Sequence, residues 1–460
     1  MRLFRVYFPT SVVMLLVSEA ALIVLCYLAA AYLLAEVPSV FLLEEGGLMR
    51  IGIASAFILA GLYFNDLYSQ FRIRSKTQLI QMTCFILGVS FLGQSLLDYM
   101  RLSDWALPKW MMIYGSVLLL VLQPAYRILY DRYVLYGLGR QNVIFLGASP
   151  VARAVAQRII EEPQFGLIIQ GWVADDAPAN GLPGGLLGSV DQLREIVKEQ
   201  KPDRIIVGMS ERRTRLPVQV LLDTRYSGVQ IEDALTTYET VFSRINVREL
   251  RPSQLIFMAD LGPKPKSVFW QGMYSFWIAM VGSVVSLPIV LGVAFLIKLT
   301  SRGPALYSQV RVGKDGALFK LYKFRSMYND AELKSGAVWA TKNDPRITPL
   351  GRWLRKLRLD ELPQLWNVLR GEMVIVGPRP ERPEFVRVLA ERIPYYNQRH
   401  ALKPGITGWA QINHKYGDTI EDTLLKLEYD LYYIKNLNLW LDLYIMFHTV
   451  KVMLLSRGAQ

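Results

Sequence analysis

Four apolar runs, separated by short polar stretches, organise the first part of the chain. They cover roughly residues 12–34, 51–63, 79–97 and 110–122. The first has about the length a bilayer needs, and the second is short. Glu19 interrupts the first run and is expected to face the interior of a helix bundle. Basic residues alternate from gap to gap. Arg2 and Arg5 precede the first run, Arg72, Arg74 and Lys76 separate the second from the third, and Arg127, Arg132 and Arg140 follow the fourth. The other gaps hold fewer bases, Arg50, Arg101 and Lys109. This alternation predicts a four-helix transmembrane unit, residues 1–135, with both ends in the cytoplasm. A buried soluble helical domain is the alternative, and it leaves the alternation accidental.

From residue 140 to 251 the pattern becomes α/β. Val143-Ile144-Phe145-Leu146-Gly147 reads as a short buried strand, followed by a helical stretch from Val151 to Ile160. Arg204-Ile205-Ile206-Val207-Gly208 reads as a second strand, preceded by a helix-like stretch over 190–200. Such alternation predicts a doubly wound, Rossmann-like domain. The turn Gly147-Ala148-Ser149-Pro150-Val151-Ala152 keeps only the first glycine of G-x-G-x-x-G. That favours a structural or regulatory module, with nucleotide binding as the alternative.

A third region, residues 264–460, opens with a fifth apolar segment over 269–297, long enough to span a bilayer. Both flanks are basic, with Lys264 and Lys266 before and Lys298 and Arg302 after, so both ends are drawn to the cytoplasm. Pro288 lies near the middle and removes one helical hydrogen bond, and Ser286 is placed to satisfy freed backbone. The expected solution is a re-entrant helix that enters and turns back at Pro288. Residues 440–447 form a further apolar stretch, too short to span, that suits the membrane interface or the core equally.

Composition narrows the classes. Hydrophobic residues make up 52% and charged residues 20% of 460, the balance of a membrane protein with a soluble part. The net charge is +13, and the bases gather beside apolar segments and in the last third. A membrane surface and phosphorylated substrates therefore suit the chain better than nucleic acid. Cys26 and Cys84 lie in apolar runs and supply no disulfide framework or thiolate zinc site. His400, His414 and His448 are scattered without metal-ligand spacing. The first apolar run is long and lacks a small-residue cleavage pattern, so no cleavable signal peptide is expected.

Candidate chemistry concentrates between residues 323 and 380. Asp360 and Glu361 stand side by side in Leu359-Asp360-Glu361-Leu362-Pro363-Gln364. Arg379 is held between Pro378 and Pro380, and Lys323-Phe324-Arg325-Ser326-Met327 supplies further cations. Taken alone, the carboxylates also read as a plain helix start, with Asp360 as N-cap and Pro363 in the first turn. Their company points to phosphate chemistry. A carboxylate attacks phosphorus or holds magnesium, and arginine and lysine hold phosphate oxygens.

From about Lys266 onward the chain resembles the bacterial sugar transferase family, the polyprenyl-phosphate hexose-1-phosphate transferases. The matching words are Ser301-Arg302-Gly303-Pro304-Ala305, Gln309-Val310-Arg311-Val312-Gly313, Lys323 to Met327, Asp360 to Gln364, Gly377-Pro378-Arg379-Pro380 and Lys403-Pro404-Gly405-Ile406-Thr407-Gly408, in the family's order. The resemblance implies a membrane protein of mixed α and α/β structure with a mostly helical catalytic domain. It implies transfer of a hexose 1-phosphate from a UDP-sugar to undecaprenyl phosphate, with Mg2+ held at Asp360 or Glu361. Asp360 would be the nucleophile that carries the phosphosugar, and Glu361 would support the metal or steer proton transfer. Lys323, Arg355 and Arg379 match positions that contact substrate phosphates, with Arg325 and Arg358 as secondary candidates. A solvated surface base is the stronger reading for Arg358 and Lys356. Trp339, Tyr395 and Trp409 offer nucleobase stacking or ordinary packing. The expected setting is the bacterial inner membrane, with the catalytic domain in the cytoplasm, membrane lipid as a partner, a homodimer favoured, and exopolysaccharide, capsule or O-antigen assembly as the pathway. Two positions depart from the family: Leu287 stands where a serine is usual before the proline, and Ser275 where an aspartate is common. Two rival readings are a non-enzymatic export scaffold and a nucleotide-sugar dehydratase. The dehydratase needs a Tyr-x-x-x-Lys pair and an intact glycine fingerprint in the middle domain, and neither is found.

Overall fold

Each early apolar run folds as a helix: Thr10–Leu34, Gly47–Phe64, Lys76–Tyr99 and Lys109–Leu129. The computed structural model describes residues 2–3, 6–7, 10–68, 76–100, 102–134, 140–175, 181–209, 216–250, 262–328, 344–414 and 419–454, and every structural statement below concerns these. Together with Pro265–Thr300, five helices are long and apolar enough to cross a membrane. Outward-facing Leu25, Leu33, Phe85, Leu92, Val117 and Val121 remain exposed, as lipid-facing positions would. Glu19 points inward and is fully buried. Its carboxylate accepts from Arg127 Nε at 2.5 Å and Nη2 at 2.8 Å, from Tyr68 Oη at 2.7 Å and from Gln123 Nε2 at 3.2 Å. Thr83 Oγ1 donates to Gln123 at 2.8 Å, and Arg127 Nη1 to the Leu67 carbonyl at 2.8 Å. Full pairing removes the penalty of isolated charge in an apolar bundle. Arg127, counted in the sequence as a flanking base, is therefore the partner that Glu19 requires.

The middle region builds a five-stranded parallel sheet from Gln141–Leu146, Leu167–Val173, Leu186–Gly188, Arg204–Val207 and Gln230–Asp233. Taken in chain order, the strands lie third, second, first, fourth, fifth across the sheet, and all pairs are parallel. This is a doubly wound arrangement. The central strand carries Val143, Ile144, Phe145 and Leu146, all fully buried, and Phe145 stacks on Trp172. After the glycine turn, Ser149 Oγ accepts from Ala152 N and caps the helix Pro150–Glu161, whose first residue has no N–H to offer. A cavity of about 340 Å³ opens beside Arg140, Gly166 and Leu167, where the first two strands begin. Nucleotides in such sheets bind at the opposite, C-terminal strand ends.

By packing, the chain divides into two compact units, residues 7–234 and residues 235–460, with the first few residues shared between them. Residues 235–250, expected with the α/β domain, pack in the second unit. Glu428 collects them: it accepts from Val247 N at 3.2 Å and lies 3.3 Å from Arg244. Trp409 Nε1 donates to the Ser243 carbonyl at 2.9 Å.

The second unit is built along the long helix Pro265–Thr300, which stays helical through Pro288. Gln271, Ser275, Ala279, Val293 and Ile297 are buried along one side, while Val284, Val285, Leu291 and Phe295 are exposed on the other. Val293 and Ile297 join Phe324 and Leu354 in an apolar cluster. At the other end, Gln271 Nε2 donates to the Val376 carbonyl at 3.1 Å and to Asp442 at 3.0 Å, and Ser275 Oγ accepts from Ile375 N at 3.3 Å. Ser275 thus bonds the strand Val374–Val376 directly. Ser286 departs from expectation: its Oγ is buried with no hydrogen-bond partner, so it does not satisfy backbone freed by Pro288. The helix Leu439–Leu454 settles the two readings of 440–447 toward packing on one side, since Leu441, Asp442 and Ile445 are fully buried.

Candidate active site

Two short elements carry the carboxylates. Arg358 adopts the left-handed conformation (φ 57°) and reverses the chain into a tight turn over Leu359–Glu361. Pro363 then leads into the helix Gln364–Leu369. Asp360 and Glu361 belong to the turn, so the plain N-cap role is not the one Asp360 takes: its side chain caps no helix. Both carboxylates are buried, at 8% and 9% exposure.

Lys323 reaches them from an antiparallel ribbon formed by Leu306–Val312 and Leu318–Phe324. Asn367 locks this ribbon to the helix that follows the carboxylates. Its Oδ1 accepts from Tyr322 N at 3.1 Å, and its Nδ2 donates to the Lys320 carbonyl at 2.7 Å. Lys323 Nζ consequently lies 3.5 Å from Glu361 Oε1.

Arg379 arrives from a third direction. Strand Val374–Val376 pairs in parallel with Gly405–Thr407, which brings Gly377-Pro378-Arg379-Pro380 against Lys403-Pro404-Gly405. Glycine is required there by close backbone approach: a Cβ on Gly405 would sit 2.1 Å from Gly377 N, and one on Gly377 would sit 2.7 Å from the Lys403 carbonyl. Two words far apart in sequence are thus one interlocked structure, and Arg379 Nη2 donates to Glu361 Oε1 at 3.0 Å.

Glu361 therefore meets three cations, because Arg358 Nη1 also lies 3.5 Å from the same oxygen. Desolvation pushes its carboxyl upward, but Arg379, Lys323 and Arg358 outweigh that and hold it at about 2. Asp360 fares differently. Burial, and then the adjacent Glu361 charge, raise its carboxyl above the usual range against the pull of Lys323, Arg355 and Arg358. Burial lowers the Lys323 ammonium in turn. The site is a pair of neighbouring carboxylates, one neutralised by cations and the other without a donor among the described residues.

The remaining expected residues divide. Arg355, on the helix Pro349–Lys356, donates Nε to Ser326 Oγ at 2.9 Å and adds positive charge near Asp360. Arg325 is occupied elsewhere. Its Nη1 and Nη2 donate to the Arg302 and Ser301 carbonyls, both at 2.9 Å, at the C-terminal end of the long helix. A cation satisfying unpaired carbonyls at the negative end of a helix dipole is a structural clamp, which removes Arg325 from the phosphate-binding set. Arg358 makes the reverse correction, because the left-handed turn that it begins folds its side chain back onto Glu361. Lys356 remains a surface base over Trp353. Trp409 is buried and stacks on Tyr432, so it packs rather than receives a base. Trp339 lies outside the described residues. Among those residues no three metal-ligating side chains cluster.

Sequence reading missed Arg399, Asp430 and Tyr433. Arg399 is buried, pairs with Asp430 at 2.8 Å and donates Nη2 to the Arg379 carbonyl at 3.0 Å. Tyr433 Oη lies 3.0 Å from the Val376 carbonyl and 2.6 Å from Asp442, with one hydroxyl hydrogen shared between the two acceptors. No local pattern marks them. Only a charge at i and an aromatic ring at i+3 within the helix Ile420–Asn436 hint at a shared face.

The family model described as bacterial sugar transferase matches residues 267–456, which contain every residue of the site. A UDP-glucose:undecaprenyl-phosphate glucose-1-phosphate transferase of Klebsiella pneumoniae is 33% identical over 335 residues, 72% of this chain and 71% of that protein. The enzyme of the same name from Escherichia coli K12 is 33% identical over 68% of each chain. A UDP-N-acetylgalactosamine-undecaprenyl-phosphate N-acetylgalactosaminephosphotransferase of Aeromonas hydrophila is 43% identical over 222 residues, 48% of this chain and 52% of that protein. With its motifs assembled into one site and its likeness running through the earlier regions as well, the chain belongs to the bacterial sugar transferase family and is a transferase.

Proposed function

We propose that this enzyme is a phosphoglycosyl transferase that moves a hexose 1-phosphate from a UDP-sugar to undecaprenyl phosphate in two displacements. An Asp360 oxygen attacks the sugar-proximal phosphorus, the bond to the bridging oxygen breaks, and UMP leaves with that electron pair. A phosphate oxygen of the lipid then attacks the same phosphorus, and the Asp360–phosphorus bond breaks. The product is an undecaprenyl diphosphate sugar that starts exopolysaccharide, capsule or O-antigen assembly. The observation that carries this reading is the contrast between the two carboxylates. Glu361 is neutralised by Arg379, Lys323 and Arg358, whereas Asp360 accepts no hydrogen bond from the described residues and has a raised pKa. A basic, unencumbered carboxylate among cations suits attack on an anionic diphosphate. The names of the relatives point to the same donors and acceptor.

Magnesium suits the donor set, because it takes one or two carboxylates and completes its shell with phosphate oxygens and water. Asp360 and Glu361 are the residues to hold it, and bound there it would neutralise diphosphate charge. Arg379, Lys323 and Arg355 orient the phosphates, and the charges of Lys323, Arg355 and Arg358 disfavour protonation of Asp360.

The membrane arrangement rests on the long helix. Positions that contact the catalytic unit run from Gln271 to Ile297, roughly 39 Å along the axis, more than the ~30 Å hydrocarbon thickness. A straight span would carry the unit through the whole bilayer core. A helix that enters and leaves on one face keeps both basic flanks in the cytoplasm, where the nucleotide sugar is made. The family assignment leaves no need for an export scaffold or a dehydratase. The test is incubation of the full-length protein with undecaprenyl phosphate and a panel of nucleotide sugars, scoring nucleoside monophosphate. Lipid-dependent turnover with at least one UDP-hexose is expected, and release with none would overturn the reading.

A further inference from the structure

We propose that Arg399, held by Asp430, is a positioning residue that fixes the Arg379 side chain at the site by gripping its peptide carbonyl. This rests on the phosphate-binding role of Arg379 argued above. Pro378 and Pro380 have no N–H, so the segment around Arg379 cannot be held by those amides. It is held by its carbonyls instead. Val376 O accepts from Tyr433 and Gln271, and Pro378 O accepts from Gly405 N at 3.0 Å. Arg379 O accepts from Arg399 Nη2 at 3.0 Å, Pro380 O from Arg311 Nη1 at 3.1 Å, and Glu381 O from Val312 N at 2.9 Å.

Among these, the grip on Arg379 itself is the unusual one, because its donor is a buried cation beside a catalytic cation. Arg399 is 6% exposed. Unpaired, it would repel Arg379 and pay the full cost of desolvation. Asp430 removes both problems: its Oδ2 accepts from Arg399 Nε at 3.0 Å and lies 2.8 Å from Nη2. Tyr396 Oη takes Nη1 at 2.8 Å, which orients the guanidinium plane. One face of the guanidinium is spent on its counter-ion and one donor is left for Arg379. Lysine cannot reproduce this fork, because its single nitrogen cannot reach both Asp430 and the carbonyl in the same geometry. The helix Ile420–Asn436 supplies Asp430 and Tyr433 one turn apart, so one rigid element supports the proline-flanked segment at both residues 376 and 379.

The test is a double-mutant cycle on nucleoside monophosphate release by the full-length protein, with UDP-glucose and UDP-N-acetylgalactosamine as donors. Arg399→Lys is expected to lower kcat/KM about 10²-fold, the scale of a misplaced catalytic group, with Asp430→Asn in the same direction. In an Arg379→Ala background the same substitutions are expected to cost less than about threefold, because nothing remains to be positioned. A purely structural role would instead lower the rate by the same factor in both backgrounds, and that additivity would overturn the proposal. So would a normal rate for Arg399→Lys beside a crippled Arg379→Ala. Should Arg399→Lys fail to fold, the near-isosteric Asp430→Asn carries the cycle with the same expected outcomes. A full rate for Arg379→Ala would be a different failure, removing the phosphate role of Arg379 and the need for its positioning.

Discussion

Asp360 and Glu361 share a peptide bond and nearly equal burial, yet their surroundings separate them. Glu361 collects Arg379, Lys323 and Arg358, and Asp360 accepts from no donor among the described residues. Asp360→Asn keeps the volume and removes the attacking charge. Its turnover is expected to drop on the order of 10⁴-fold or more, and mass spectrometry of the donor-treated protein should find no phosphosugar adduct. Near-normal release of nucleoside monophosphate would remove Asp360 as nucleophile. The pH dependence follows from the same contrast. In the proposed mechanism Asp360 must be ionised to attack, and its pKa is raised, so activity is expected above that raised pKa and lost as pH falls through it. Glu361, held at about 2, stays ionised across that range and adds no limb of its own. The acid limb of kcat/KM should therefore lie above the ordinary aspartate range. Removing a cation from beside Asp360, as in Arg358→Ala, should move it higher still. A limb that moves lower would contradict the assignment.

Elements matter here through how they interlock. The ribbon, the carboxylate turn and the proline-flanked segment are brief, and none would hold its side chains alone. Asn367 sets the ribbon against the helix after the turn, and Gly377 and Gly405 let two strand ends touch backbone to backbone. Gly405→Ala is expected to cost 1–3 kcal/mol or more, because the atom it strikes is backbone that cannot step aside. A lowered melting temperature together with a larger loss of kcat/KM would be the signature, and an unchanged enzyme would refute the close approach. Arg325→Met should cost about 2 kcal/mol by stranding the Ser301 and Arg302 carbonyls. Its effect belongs in thermal stability, with substrate KM little changed. A large rise in donor KM at unchanged stability would return Arg325 to the phosphate-binding set.

For the whole molecule the deciding quantity is which face of the membrane the catalytic unit occupies. In a background with Cys26 and Cys84 replaced by serine, single cysteines placed at Lys266 and Arg302 report it. Both should be shielded from a membrane-impermeant thiol reagent outside intact cells. Pro288→Ala restores a helical hydrogen bond and eases a straight crossing, so labelling at 302 is expected to emerge with loss of activity. External labelling at 302 but not 266 in the otherwise native protein would establish a fifth crossing and defeat a cytoplasmic donor site.

The helices that suit a membrane, the parallel α/β middle and the carboxylate pair with its proline-flanked arginine were legible in the sequence. Those features depend on local periodicity, on run length and on residues adjacent in the chain. Folding in three dimensions decided the rest. Arg127 became the buried partner of Glu19 across more than a hundred residues, Arg325 left the site for a helix end, and Arg358 joined the site through a left-handed turn. Arg399 and Asp430 acquired meaning only when the helix Ile420–Asn436 brought Asp430 to Arg399 behind Arg379. A charge carries no record in the sequence of which carbonyl or carboxylate it will meet. That is settled by long-range packing, where the cost of an unpaired buried charge selects one partner among many.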